Sequence, residues 1–318
     1  MPKLKVGVGS VAGLLALTVL VTHYLSTRDC STPSNSSSTS KTHTRLLVLI
    51  LSAPDNEARR DTIRSTWLSG FLTRPSDVRA FFAVGTSGPD SSLKQLNNEA
   101  QRHNDLLLLP GLLDSYATIT KKVLQAIERL YADFEFEFLL KCDDDSFVVI
   151  DGLLKELTNW QNKGTKQELY WGYFNGRAKV KRSGPWKESN WFLCDYYLPY
   201  ALGGGYVLSY NLVKFIAENA DLLKLHNSED ISVGLWLAPL ANIERKHDTR
   251  FDTEYRSRGC SNQYLITHKQ SISDMKNMYD TFAKTENLCT QEVSNYLGYL
   301  YNWNVPPSQC CDRKPGIL

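Results

Sequence analysis

The sequence lacks the glycine-rich signatures of two widespread nucleotide-binding folds. No G-x-G-x-x-G follows its first predicted strand and no G-x-x-x-x-G-K-S/T occurs, so neither a dinucleotide site nor a P-loop is supported. The net charge of the 318 residues is only +2, which gives no bulk electrostatic argument for binding nucleic acid. The seven cysteines match no zinc-module spacing, and no internal repeat is present. With 42% hydrophobic residues the composition is ordinary for a globular protein, so local motifs must indicate the function.

The amino-terminal residues have a composition unlike that of the rest. Residues 6–25 are apolar over about the length that a helix needs to cross a bilayer, and Lys3 and Lys5 precede them. We therefore predict a short cytoplasmic tail at residues 1–5 and a transmembrane signal anchor at residues 6–25, with the remainder in the lumen. A cleaved signal peptide is the alternative, although no small-x-small cleavage site precedes Leu25.

Residues 26–44 are rich in serine and threonine and have no apolar periodicity, which is typical of a flexible stem. Asn35 heads the only N-x-S/T glycosylation acceptor of the chain, and its position in the stem fits lumenal exposure. Cys30 is either free or a link between two chains. The other six cysteines can form up to three disulfide bonds in an oxidising lumen, in a pairing that the sequence does not determine.

From residue 45 onward, short apolar runs alternate with helical patterns. The apolar runs predict buried strands at residues 45–52, 79–86, 106–109 and from 134 onward. The helical patterns lie between them, at residues 55–68, 92–104 and 114–133. This β-α-β-α-β-α-β order predicts an α/β domain with a mostly parallel sheet and helices on both faces. We expect one such domain over residues 45–318.

The second half is less regular. Gly203, Gly204 and Gly205 lead into a predicted strand at residues 206–209 and fit a positive-φ turn, a bulge, or a close approach of the backbone to a substrate. Further helices are predicted at residues 211–225 and 231–237. The many aromatic residues between 170 and 200 are expected to be mostly core, although flat rings also suit sugars. Five cations within residues 176–187 predict an exposed loop, either merely solvated or attractive to an acidic acceptor.

The most informative stretch is the strand that ends in Asp143, Asp144 and Asp145. A buried strand that delivers three carboxylates at its end is costly unless a cation lies there. If the backbone stays extended, Asp143 and Asp145 point the same way, so both can coordinate one divalent ion. Ligands bind beyond the carboxyl ends of parallel strands, which favours a metal site over a solvated acidic turn.

A metal at such a pair suits a diphosphate group, because the cation stabilises a nucleoside diphosphate as a leaving group. Glu229 and Asp230 are the best candidates for the base that deprotonates the incoming nucleophile. Their alternative is a structural role as first-turn acids favoured by the helix dipole. His268 follows an apolar run that can direct it back toward the metal, but a structural role is the default for it and for His247.

Four motifs in this order resemble the β-1,3-glycosyltransferase family of Golgi enzymes. They are RRDTIRSTW at 59–67, KCDDDSF at 141–147, PYALGGGYVLS at 199–209 and EDISVG at 229–234. The resemblance implies a GT-A-type, Rossmann-like fold in a single-pass type II protein of the Golgi membrane. It also implies Mn²⁺-dependent, inverting transfer of galactose from UDP-galactose. Residues 251–271 and 306–314 are similar to a member that acts on the galactosyl-β-1,4-xylose primer of proteoglycan core proteins. A homodimer, or a complex with other linkage-region transferases, stays open.

The resemblance also implies roles for individual residues. Asp145 becomes the direct metal ligand, with Asp143 beside it and His268 completing the metal sphere. Asp143 and Asp144 lie near the ribose and diphosphate of the donor. Asp230 becomes the base for the acceptor 3-hydroxyl, and Glu229 positions the acceptor. The remaining substrate-binding positions are Arg64, Lys122, Gly204, Gly205 and Tyr206.

Other functions share part of this pattern. A β-1,3-N-acetylglucosaminyltransferase, or another β-1,3-galactosyltransferase acting on glycoprotein or glycolipid glycans, can carry all four motifs. A phosphohydrolase could use one aspartate as a nucleophile, although that acid usually follows the first strand rather than the fourth. A lumenal lectin or assembly partner would keep the fold without the chemistry, against which the intact Asp143, Asp145 and Asp230 argue.

Overall fold

The computed structural model describes residues 43–318. The predicted tail, the signal anchor and most of the stem, with Asn35 and Cys30, lie outside these residues. Across residues 43–318, no helix combines the length and the apolar composition that crossing a bilayer requires. The first strand, β1 (His43–Leu51), begins slightly before the predicted start of the large domain.

A seven-stranded, mostly parallel sheet forms the centre of this region and confirms the predicted α/β class. Its strands stand in the spatial order β3 (Leu106–Leu109), β2 (Val78–Gly85), β1, β4 (Glu135–Asp143), β7 (Tyr200–Ser209), β6 (Glu168–Asn175) and β8 (Ile243–His247). In this sheet β7 runs antiparallel to both of its neighbours, whereas the other adjacent strands are parallel. Residues 46–51 of β1 are all buried, because both faces of such a sheet are covered.

The helices predicted for the first half are present with shifted ends. They are α1 (Glu57–Ser65), α2 (Asp90–His103) and α3 (Ile119–Asp133). α3 begins later than predicted because a 3₁₀ turn at Tyr116–Thr118, closed by a capping box, precedes it. The second half contains α4 (Ile150–Asn162), α5 (Tyr210–Glu218), α6 (Glu229–Leu237) and α7 (Ile272–Thr285). The sequence patterns predict α5 and α6 but neither α4 nor α7.

A three-stranded sheet beside the main one brings distant parts of the chain together. It contains β5 (Phe147–Val148), β11 (Ile266–Thr267) and β9 (Phe251–Asp252), in that order. The strands β10 (Gly259–Cys260) and β12 (Val293–Ser294) pair with each other in a separate two-stranded sheet. β5 follows Asp145 closely and β11 ends immediately before His268, and the two strands pair directly. The backbone N–H of Gln270 also donates to the Asp145 carbonyl at 2.8 Å. These bonds hold His268 next to the end of β4.

Two disulfide bonds lie in the carboxyl-terminal part of the chain. The bonded pairs are Cys260–Cys289 and Cys310–Cys311, and Cys142 and Cys194 are free. Among the described residues the six cysteines therefore form two bonds, one fewer than the maximum that the sequence allows.

A buried ion-pair network joins α1 to α2. Arg60 donates hydrogen bonds to both carboxylate oxygens of Glu99, at 2.8 and 2.7 Å, and is fully buried. Arg64 donates to Glu99 at 2.7 Å and also to Asp61 and Asp105. Burial alone would raise the pKa of Glu99, but the two guanidinium groups outweigh it and lower this pKa. The guanidinium of Arg64 thus bonds three carboxylates, and its expected place at the donor site stays a prediction.

Replacing Glu99 by Gln is expected to lower the free energy of unfolding by about 3 kcal/mol, because two buried cations lose a partner. Chemical denaturation measures the difference from the unaltered protein. The matched control is Glu57→Gln, since Glu57 pairs with Arg102 at the surface and should contribute less than about 1 kcal/mol. Equal losses in the two variants would contradict a structural role for the buried network.

Candidate active site

The three consecutive aspartates lie at the carboxyl end of β4 but face different partners. Asp143 is the last residue of β4, and Asp144 and Asp145 follow in a turn. Asp144 accepts hydrogen bonds from the Ser52 hydroxyl at 2.7 Å and from the Asn56 amide at 2.8 Å. Burial raises the pKa of Asp144, and these two hydrogen bonds oppose the rise. Asp144 is therefore tied to the segment that follows β1.

Asp143, Asp145 and His268 form a cluster at this edge of the sheet. One ligand atom from each residue lies within 4.8 Å of the others. His268 Nε2 is 2.9 Å from Asp145 Oδ1 and 3.5 Å from Asp143 Oδ2. Burial lowers the pKa of His268, but the two carboxylates outweigh burial and raise this pKa to about 9. The structure thus brings together the two aspartates and the distant histidine of the predicted metal site.

The buried polar atoms of the cluster fit a divalent cation. Asp145 Oδ1 and both ring nitrogens of His268 are buried without an aligned hydrogen-bond partner, despite the short distance between Oδ1 and Nε2. Buried polar atoms without partners are costly and rare in folded proteins. Carboxylate oxygens and an imidazole nitrogen together form a donor set for a divalent transition metal. A cation would satisfy Asp145 Oδ1 and one ring nitrogen of His268 at once, and Nε2 is the nitrogen that faces the two carboxylates.

The triple glycine lies inside β7 rather than before it. Gly203, Gly204 and Gly205 all have negative or extended φ, so of the three alternatives for these glycines the positive-φ turn is wrong. The predicted bulge is present, because the pairing of β7 with β6 changes register between Gly172 and Phe174. β7 keeps regular pairing with β4 on its other side, where Gly205 stands opposite Cys142.

The glycines leave room for side chains of the site. A Cβ atom at Gly203 would lie 2.7 Å from Glu229 Oε1, and one at Gly204 would lie 2.6 Å from His268 Cγ. A Cβ atom at Gly205 would lie 2.8 Å from a side chain of β11. Contacts this short do not occur between ordinary non-bonded atoms. The close approach that the sequence permits is therefore made by the protein's own side chains.

Glu229 and Asp230 are the first two residues of α6. Glu229 is buried and accepts hydrogen bonds from the Tyr206 hydroxyl at 3.0 Å and from the Lys141 ammonium group. Burial raises the pKa of Glu229 to about 7, although Lys141 opposes the rise. Asp230 is half-buried, accepts the Gly203 N–H at 3.1 Å, and also has a pKa raised by burial. Each acid forms hydrogen bonds with residues of β7 or β4, so the helix dipole alone does not explain why acids stand at these two positions.

Lys141 is the residue of the site that sequence reasoning misses. Its ammonium group lies 2.9 Å from Asp143 Oδ1 and 2.6 Å from the Gly203 carbonyl, and it also bonds Glu229. Only 1% of the residue is exposed. Burial lowers the pKa of Lys141, but Asp143 and Glu229 outweigh burial and raise it. The available signal was a lysine within an apolar strand, two residues before Asp143 and hence on the same face.

Lys122 is connected to the aspartates through the end of β1. Its ammonium group bonds the Asp114 carboxylate and the Ser52 carbonyl, and the Ser52 hydroxyl bonds Asp144. Burial lowers the pKa of Lys122, and Asp114 opposes this change. Tyr206, in contrast, is fully buried, and its hydroxyl donates to Glu229 of the acid pair rather than facing an open cleft.

His247 has a structural environment. Its Nδ1 accepts the Phe174 N–H at 3.0 Å, and its Nε2 lies 2.7 Å from the Tyr299 carbonyl. The rings of His247 and Tyr299 stack with centroids 5.2 Å apart. Burial lowers the pKa of His247 to about 4, so the ring stays neutral. The default interpretation of this histidine is confirmed.

A family model described as Galactosyltransferase matches residues 58–249, more than half of the chain. The matched region includes the aspartates, Lys141 and the acid pair. The chain therefore belongs to the galactosyltransferase family and is a glycosyltransferase, an enzyme that takes a nucleotide-sugar donor and a glycan acceptor. This assignment favours the transferase over the phosphohydrolase and the lectin.

Individual relatives agree with the family model. A Mus musculus protein named beta-1,3-galactosyltransferase 6 is 50% identical over 274 residues, which cover 86% of this chain and 84% of that protein. The Arabidopsis thaliana hydroxyproline O-galactosyltransferase GALT2 is 30% identical over 77% of this chain, but the match spans only 36% of that relative. Among solved structures, a glycosyltransferase involved in glycosylation of the major capsid of PBCV-1 has a TM-score of 0.39 at 9% identity, covering 74% of this chain and 99% of its own.

Replacing Gly204 by Ala is expected to weaken binding of a divalent cation about tenfold or more, because the new Cβ atom would displace the His268 ring. Titration calorimetry with Mn²⁺ and the full chain measures this affinity. The control is Gly70→Ala, where no atom lies within 4 Å of the added Cβ atom. Unchanged Mn²⁺ affinity in the Gly204 variant would remove His268 from the candidate ligand set.

Proposed function

We propose that the protein is an inverting, Mn²⁺-dependent β-1,3-galactosyltransferase. It moves galactose from UDP-galactose to the 3-hydroxyl of the galactosyl-β-1,4-xylosyl primer on proteoglycan core proteins. The observation that carries the proposal is the approach of the aspartate–histidine cluster to the acid pair Glu229–Asp230, with Lys141 between them. The linkage and the sugar are supported by 50% identity to the mouse protein named beta-1,3-galactosyltransferase 6. The primer is supported by the similarity of residues 251–271 and 306–314 described above.

Asp145, Asp143 and His268 would hold the Mn²⁺ ion. When bound, such an ion supplies positive charge that neutralises the diphosphate and stabilises UDP as a leaving group. Lys122 and Asp144 are linked to each other through Ser52, and in this proposal both contact the donor beside the cluster. Burial raises the pKa of Asp143, but Lys141 and His268 together outweigh burial and lower this pKa, so the carboxylate stays ionised.

Asp230 acts as the base. It is partly exposed, whereas Glu229 is buried and already bonds Lys141 and Tyr206. A carboxylate of ordinary pKa, about 3.9, is a weak base, so the raised pKa of Asp230 suits proton transfer. Each carboxylate oxygen has two lone pairs, so the Gly203 N–H leaves capacity for the acceptor.

The transfer is a single displacement. Asp230 takes the proton of the acceptor 3-hydroxyl as that oxygen forms a bond to the anomeric carbon of galactose. The bond between the anomeric carbon and the diphosphate oxygen breaks, and UDP leaves with the electron pair. Attack from the face opposite UDP inverts the anomeric carbon. Glu229, held by Lys141 and Tyr206, positions the acceptor beside Asp230.

We also propose a Golgi location as a single-pass type II protein. Residues 6–25 anchor the chain, the predicted stem lies between residue 26 and the start of β1, and the residues from β1 onward form the lumenal catalytic domain. The disulfide bonds Cys260–Cys289 and Cys310–Cys311 support an oxidising compartment.

The direct test supplies the purified full chain with UDP-galactose and a galactosyl-β-1,4-xylose acceptor. A β-1,3-linked product is expected with Mn²⁺, and its formation should stop when the metal is removed with EDTA. Parallel reactions with UDP-N-acetylglucosamine, and with glycoprotein and glycolipid glycans as acceptors, address the related transferases. Transfer from UDP-N-acetylglucosamine alone would overturn the choice of sugar.

Replacing Asp230 by Asn is expected to reduce kcat by about 10²- to 10⁴-fold, because the acceptor loses its base. UDP binding, measured by calorimetry with Mn²⁺, should stay nearly unchanged. Asp221→Asn is the control, since Asp221 is an exposed acid in the segment before α6. If the Asp230 variant turns over at the normal rate, another residue is the base.

A further inference from the structure

We infer that residues 177–197, between β6 and β7, form the acceptor-binding wall of the active site, and that Glu188 is the positioning residue that holds this wall in place. We call these residues the acceptor segment. The inference rests on the proposed function and deepens it, because it assigns a surface for the glycan acceptor. None of the residues that carry it belongs to the candidate metal cluster or the acid pair.

Glu188 fastens the acceptor segment to the residues just before the acid pair. Its Oε1 accepts the Asn227 N–H at 2.7 Å, and its Oε2 lies 3.4 Å from His226 Nδ1. The Lys187 carbonyl also accepts a hydrogen bond from the Asn227 side chain. Glu188 and His226 are each only 6% exposed. A buried carboxylate persists only when it is paired, so this attachment is specific.

An apolar cluster, separate from the main core, supports the same attachment. Trp191 and Tyr197 of the acceptor segment pack with Tyr200 and with Ile231. Ile231 directly follows the proposed base, Asp230. The Tyr197 hydroxyl also accepts the Lys181 N–H at 2.9 Å, which fixes the fold of the segment itself. The segment therefore lies against the first turn of α6.

The other side of the acceptor segment reaches the connection between β3 and α3. The Trp186 ring meets the Tyr116 ring edge to face, with centroids 6.0 Å apart. Tyr116 is 66% exposed, and Trp186 is partly exposed. The Thr120 hydroxyl donates to the His226 carbonyl at 2.6 Å, so the start of α3, just after this connection, is also tied to the loop before α6. Three segments thus converge around the acid pair.

The exposed aromatic rings determine which kind of ligand the acceptor-binding wall can contact. Flat aromatic faces pack against apolar C–H groups, which the faces of a galactose or xylose ring present. Tyr116 and Trp186 are therefore placed to contact a glycan acceptor, while the donor cluster lies at the end of β4. The acceptor segment should affect acceptor binding and leave donor binding unchanged.

Steady-state kinetics of the full chain with UDP-galactose and galactosyl-β-1,4-xylose test this separation. Glu188→Ala is expected to raise the acceptor KM about tenfold, since a buried hydrogen-bonding anchor is lost, with an unchanged KM for UDP-galactose. Glu188→Gln keeps an oxygen for the Asn227 N–H and should recover part of the loss. Trp186→Ala should raise the acceptor KM in the same way, and Trp186→Phe should restore it.

Trypsin provides a readout that does not depend on activity. Arg177, Lys179, Lys181, Arg182 and Lys187 are exposed within the acceptor segment, as the sequence predicted for this loop. Glu188→Ala should speed cleavage at these sites, whereas Trp186→Ala should not. The matched control is Asp248→Asn, a buried carboxylate that bonds Trp171 and Arg250 elsewhere, which should change neither cleavage here nor the acceptor KM.

The outcomes separate the inference from the function on which it rests. Faster cleavage of Glu188→Ala with an unchanged acceptor KM would overturn the acceptor wall and leave the transferase intact. Equal increases in the donor and acceptor KM would also overturn it, because the effect would then be a general loss of structure. Absence of galactosyl transfer by the unaltered protein would overturn the proposed function itself.

Discussion

The arrangement of the site depends on one buried ammonium group. Lys141 lies between Asp143 on β4 and Glu229 on α6, and it also bonds the Gly203 carbonyl on β7. Without a cation there, the two buried carboxylates would repel each other. Removing one partner of a buried ion pair typically costs about 3–5 kcal/mol of stability. The charge of Lys141 thus fixes the distance between the candidate metal cluster and the acid pair.

The glycines of β7 are the steric counterpart of this electrostatic arrangement. A side chain at Gly203 would push on Glu229 and approach the Lys141 ammonium group, and one at Gly204 would push on His268. β7, the strand between the two groups of acids, therefore carries no side chains at these positions. Its Gly203 carbonyl accepts a hydrogen bond from Lys141. Charge compensation by Lys141 and close packing at the glycines of β7 therefore both hold the acid pair and the candidate metal cluster near each other.

The first half of the fold was predictable because its signals are local. The apolar runs and helical patterns gave the parallel strands in order, and the aspartates followed the fourth strand. Lys141 was missed because two of its three partners, on β7 and α6, are distant in sequence, and no local pattern reveals that they lie beside β4. The ion pairs of Arg64 with Glu99 and Asp105 were not predictable, because a motif does not distinguish an arginine that binds a ligand from one that also bonds carboxylates. The possible positive-φ turn at Gly203–Gly205 is absent because glycine is also used where side chains pack closely against the backbone.

The pairing of β11 with β5 has a consequence for the order of folding. β11 lies late in the chain and β5 lies near its middle, so their contact has a large sequence separation and a high loop-closure entropy. The last strand of the seven-stranded sheet ends at His247, before the polypeptide reaches His268. The candidate ligand set around Asp145 is therefore complete only after this long-range pairing has formed, whereas the central sheet does not need it.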